Sequence, residues 1–208
     1  MLQIIPALLV AITVVIQCLA VQMSLYRLSR MNARPPHHGL ALMSGMLAAA
    51  AIILRLYQND SAVGVLFMTI MTGCMTLMTL TDAASCRLPR PFTIMYLISG
   101  SAFRLWQGDW LTGLCSAGFW FLLLLLFRQY TSYRRKTETI GLGDVFLIAG
   151  IAIWSPPGDI PWIVATAAGG ALLYLWCNRQ RRITRELPFG PFLCASQYAF
   201  TFYPGGLW

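Results

Sequence analysis

The stretch Ile140-Gly-Leu-Gly-Asp144-Val-Phe-Leu-Ile-Ala-Gly-Ile-Ala-Ile-Trp154 places a glycine-flanked carboxylate where a basic loop ends and an apolar segment begins. A helix from Val145 to Trp154 rises about 15 Å, half of a hydrocarbon core about 30 Å thick. Pro156-Pro157 then stops it. Either the helix begins within Gly141 to Asp144, or that end is recessed in the membrane.

Outward from this stretch the chain is apolar almost throughout. Its 208 residues are 58% hydrophobic and 11% charged, far from the quarter-charged composition of soluble domains. Eight segments approach spanning length: Leu2 to Met23, Leu40 to Tyr57, Ala62 to Leu80, Phe92 to Trp106, Trp110 to Phe127, Val145 to Trp154, Pro161 to Cys177 and Phe189 to Tyr203. The composition predicts an all-α, polytopic membrane helical bundle of about eight transmembrane helices, one integral-membrane domain over residues 1–208.

The fifteen basic residues outnumber the seven acidic ones, and their placement reads as topology rather than as nucleic-acid binding. Arg27, Arg30 and Arg34 follow the first segment; Arg87 and Arg90 the third; Arg128, Arg134, Arg135 and Lys136 the fifth; Arg179, Arg181, Arg182 and Arg185 the seventh. The opposite loops carry only Arg55 and Arg104. Basic residues collect in cytoplasmic loops, so both termini are expected outside. The first segment has no basic residue before it, which predicts a membrane helix rather than a cleaved signal peptide.

Cys18, Cys74, Cys86, Cys115, Cys177 and Cys194 form no CxxC pair, so they read as small apolar residues rather than zinc ligands. His37 and His38 have no cysteine or acid nearby and read as a solvated loop, and no metal or cofactor is expected. Met68, Met71, Met75 and Met78 repeat at helical spacing, which predicts core packing or lipid contact.

Each of the seven acids can be weighed singly. Asp60, Asp109 and Asp159 precede helix starts and suit N-caps. Glu138 and Glu186 stand among Arg and Lys, as solvated ion pairs. Asp82 and Asp144 differ, because both fall at the cytoplasmic edge of apolar segments, where an acid faces a bundle interior or polar cavity. The structural alternatives are an N-cap for Asp144 and an ion pair with Arg87 for Asp82. Two carboxylates sharing a proton can activate water and polarise a peptide carbonyl. Helix dipoles suit Asp144, at an amino end, to the base's role, and Asp82, at a carboxyl end, to the acid's. Gly141 and Gly143 let the backbone turn and let a substrate strand approach Asp144.

Asp82 with Leu88-Pro89, Gly141-Leu142-Gly143-Asp144, and Leu187-Pro188-Phe189-Gly190-Pro191-Phe192-Leu193 resemble, in order and spacing, the motifs of bacterial type IV prepilin peptidases. These are membrane aspartyl proteases of the GxGD kind, and the resemblance runs from about Gly73 to the carboxyl end. It implies Asp82 and Asp144 as the catalytic pair, with Gly141, Gly143, Pro188, Phe189, Gly190 and Pro191 as active-site motif. It implies a prepilin or pseudopilin substrate, cut between basic leader and hydrophobic stem at the cytosolic face of the bacterial inner membrane. Phe146 stands where the family has lysine, and Arg90 where it has asparagine. The Arg27 to Gly39 loop lacks the CxxC-bearing insert of longer members, so amino-methylation and structural zinc are not expected. The basic face repels a basic leader, so anionic membrane lipids or an acid in the mature pilin are expected to help docking. The rival readings are a catalytically degenerate peptidase-like scaffold for pilus or secretion assembly and a transporter; a transporter calls for acids along a path, not at one face.

Overall fold

The computed structural model describes residues 4–30, 38–57, 61–86, 88–135, 141–177 and 187–201. They form eight helices: α1 (Ile4–Arg30), α2 (His38–Tyr57), α3 (Ala62–Ser85), α4 (Arg90–Gln107), α5 (Trp110–Arg135), α6 (Leu142–Trp154), α7 (Ile160–Cys177) and α8 (Gly190–Thr201). Each overlies one of the eight apolar segments, and no strand occurs among the described residues. Stretches of α1, α3, α5 and α7 are long and apolar enough to cross a membrane. The chain is a multi-pass membrane protein.

The charged helix ends differ from the expected loops. Arg27 and Arg30 lie in the last turn of α1, and α5 continues through Arg128, Arg134 and Arg135. Long basic side chains can extend a membrane helix beyond its apolar part by reaching out to the interface. Arg55 lies inside α2 and Arg104 inside α4, not in loops. Arg34, His37, Asp60, Arg87, Lys136, Glu138, Arg179, Arg181, Arg182, Arg185 and Glu186 lie outside the described residues. The cap of α3 is Ser61, whose Oγ accepts from the Gly64 amide at 3.1 Å.

The central post is α3, with 72% of its apolar window buried, against 17% for α5. Both helices are apolar, so what distinguishes α3 is a seam of polar side chains. Met68, Met71, Met75 and Met78 are buried, as their spacing predicts, and beside them Thr69, Thr72, Thr76 and Thr79 are buried too. Within a membrane such hydroxyls add interhelical hydrogen bonds to the packing that holds helices together. Thr13 shares a 3.1 Å hydrogen bond with Thr69, Gln17 Nε2 donates to Thr72 Oγ1 at 3.0 Å, and Thr76 donates to Gln17 Oε1 at 2.9 Å. These bonds fix α1 on α3.

Close approach of α4 and α6 rests on two glycines. A Cβ on Gly150 would stand 2.6 Å from the Tyr96 ring, and one on Gly100 would stand 2.7 Å from Trp154 Nε1. The Trp154 indole stacks between Tyr96 and Phe103 and donates to the Tyr96 carbonyl at 3.1 Å. At its far end α6 stops before Pro156-Pro157, as the sequence predicts. Arg104, only 8% exposed, reaches across from α4: Nε donates to the Ile153 carbonyl at 2.8 Å and a terminal nitrogen to that of Ser155 at 3.0 Å. A cation at a helix carboxyl end meets both the freed carbonyls and the dipole.

Candidate active site

Asp82 occupies the last turn of α3. Cys86 closes that helix in left-handed backbone, φ 50°, its amide donating to the Asp82 carbonyl at 2.8 Å. The chain then doubles back through Leu88-Pro89 into α4. The Asp82 side chain is buried, and its Oδ2 accepts from the Gly190 amide, at the first residue of α8, at 2.8 Å. Pro191 lacks an N–H and sits where helices leave amide donors unpaired anyway. Gly190 has no Cβ because the carboxyl group fills that place: a Cβ there would lie 2.7 Å from Oδ2. The Phe189 carbonyl accepts from the Phe192 and Leu193 amides, which starts α8 one residue beyond the motif's first proline and phenylalanine.

Asp144 is the third residue of α6, whose N-cap is Gly141. The helix therefore begins within the glycine motif, the first of the two alternatives left open by the sequence. Asp144 is not itself the N-cap, and its Oδ2 bends back to 3.1 Å from where a Gly141 Cβ would stand. It is half-buried and lies close enough to Asp82 for the two carboxyl groups to interact electrostatically. Among the described residues, α4 and α8 each pack on both α3 and α6 and so position the two aspartates relative to each other.

Two expectations are corrected here. Gly143 does not leave room for a substrate strand, because Leu88 occupies its open face, with Leu88 Cβ 2.8 Å from the place of a Gly143 Cβ. Gly143 is thus a seat that joins the start of α4 to the start of α6. The assignment of base and acid by helix ends also fails: Asp82 ends α3 but faces the amino end of α8, so both carboxyl groups stand at helix amino ends.

The departures at Phe146 and Arg90 both have local accounts. Phe146 packs on Phe121 of α5, ring centroids 5.2 Å apart. Arg90 is exposed at the first residue of α4. Sequence reasoning did not single out the groups that fix α8. Tyr96 Oη donates to Gln197 Oε1 at 2.6 Å, and Tyr198 Oη donates to the Thr72 carbonyl at 3.2 Å. The available signals were Gln197 inside an apolar segment and the threonine repeat running beside the methionines.

Comparison with known proteins bears on this end of the bundle. The type IV leader peptidase family matches residues 69–176, a range that contains Asp82 and Asp144 and ends before Pro188. Two relatives, each named prepilin leader peptidase/N-methyltransferase, come from Burkholderia pseudomallei strains 1026b and K96243. Each is 33% identical over 175 residues, covering 79% of this chain and 53% of the relative. The chain spans about half the length of these curated relatives. No solved structure matches significantly.

Proposed function

The chain belongs to the type IV leader peptidase family, and on that basis we propose that it cuts the basic leader from a prepilin or pseudopilin, using Asp82 and Asp144. The observation that supports this reading is that both acids lie at one end of the bundle on helices that α4 and α8 pack together, with Asp82 accepting from the Gly190 amide and Asp144 near enough to feel its charge. A water between them loses its proton to the ionised carboxylate and attacks the scissile carbonyl, whose oxygen takes a hydrogen bond from the protonated partner. Collapse of the tetrahedral intermediate returns a proton to the leaving nitrogen. The Gly190 amide holds Oδ2 of Asp82, which leaves Oδ1 for the shared proton.

The alternation of basic loops in the sequence supports an orientation with this end at the cytosolic face of the bacterial inner membrane and both termini outside, and we read the chain as a single domain. The scaffold reading draws on Phe146 and Arg90. One experiment separates the two: co-expression with candidate prepilins, following leader removal for the parent, Asp82→Asn and Asp144→Asn. The expected result is processing by the parent and by neither variant. Processing by either variant would refute the dyad, and a folded parent that processes no prepilin in the panel would favour the scaffold.

A further inference from the structure

A narrow cavity of about 130 Å³ lies between α2, α3 and α8, walled by Met43, Ser44 and Leu47, by Thr79, and by Pro191, Cys194, Ala195 and Tyr198. It begins one turn from Asp82. Pro191 follows the glycine that binds Asp82, and Thr79 stands one turn before Asp82 on α3. From Pro191 to Tyr198 the α8 wall descends about 10 Å away from Asp82, into the bundle. On the lipid side it is bounded by α2, where Met43 is 66% exposed.

The polar atoms in the wall already have partners. Ser44 is engaged, the Thr79 hydroxyl interacts with the Cys194 thiol, and Tyr198 Oη donates to the Thr72 carbonyl. What remains for a ligand is apolar. The space is too small for a helix about 10 Å across but holds one bulky apolar side chain.

We propose that the face between α2 and α8 seats the apolar stem of the substrate, with one bulky side chain from its first turns inserted beside Thr79 and Cys194. The argument is continuity and direction. The cavity starts one turn from Asp82 and runs along α8 toward that helix's carboxyl end, which in the proposed orientation is the course a stem takes into the membrane from a bond cut at its face. This proposal rests on the leader-peptidase reading and names how that site holds its substrate.

The test uses the full chain in phosphatidylethanolamine/phosphatidylglycerol vesicles. A diazirine amino acid at position 43, in the Asp144→Asn background, is expected to cross-link to the first stem residues of an added prepilin; capture of lipid alone overturns the proposal. Ala195→Trp fills the cavity and is expected to raise KM for prepilin about tenfold. Leu122→Trp on the lipid face of α5 is expected to leave KM unchanged. Shortening the cross-linked stem residue to alanine is expected to reduce the Ala195→Trp effect. An unchanged KM for a folded Ala195→Trp overturns the proposal, and if that variant does not fold, the cross-link decides. A parent that cleaves nothing yet cross-links the stem refutes the peptidase reading and leaves docking intact. Cleavage with lipid-only capture does the reverse.

Discussion

Replacing Gly190 by alanine sets two physical effects against each other. By helix propensity alone the change stabilises an α-helix by about 1 kcal/mol. The site opposes it. The new Cβ would lie 2.7 Å from Asp82 Oδ2, 3.2 Å from its Cγ and 3.3 Å from its Cβ. Rotation of the carboxyl tip cannot relieve all three contacts, so the side chain or the start of α8 must shift by about half an ångström or more. Retreat stretches the 2.8 Å bond from the Gly190 amide. A bond to a charged group contributes about 1.5 to 3 kcal/mol, and an off-rotamer side chain costs about 1 kcal/mol. The net expectation is a loss of about 1 to 3 kcal/mol. With Asp82 in the proposed dyad, displacement of its carboxyl group on this scale is expected to lower turnover by about 10²-fold. Unfolding in mixed detergent measures stability, and prepilin cleavage in vesicles measures kcat. Gly118→Ala is the control, because nothing lies within 4 Å of its added Cβ; it is expected to be neutral or slightly stabilising. A Gly190→Ala protein as stable and as active as the parent would refute the claim that the Asp82 carboxyl group occupies the missing Cβ of Gly190.

Tyr96→Phe keeps the ring on Gly150 and Trp154 but leaves Gln197 without its 2.6 Å partner; a loss of about 1 to 3 kcal/mol is expected, most of it recovered in a Tyr96→Phe, Gln197→Met double variant. Arg104→Met strands the carbonyls of Ile153 and Ser155 at the end of α6 and is expected to cost about 3 kcal/mol, with Arg104→Lys intermediate because an ammonium lacks the planar fork. Turnover against pH is expected to be two-sided. It falls at low pH, where both aspartates are protonated and no base remains, and at high pH, where both are ionised and no acid remains; a profile flat on either side counts against a shared proton.

Much of the architecture was legible in the sequence because its causes are local. The eight apolar runs, the prolines at 156 and 157 and the basic clusters each act within a few residues. They located the helices and the stop of α6, and they led to the expectation of a common side for Asp82 and Asp144. What the sequence could not show was which face of each helix meets protein. In water an apolar face must be buried; in a bilayer lipid serves as well, so α3 and α5 look alike in composition though one is central and the other peripheral. Rotation and register, and with them the contacts between distant residues, were decided by tertiary packing. It set Leu88 on Gly143, Arg104 on the end of α6 and Tyr96 on Gln197, and it brought the amino end of α8 to Asp82. Alone, the sequence predicted that two acids share one side of the bundle. Only the folded bundle decided that Asp82 is held by the backbone of α8, because the bond from Gly190 forms only when α8 docks in one register against α3.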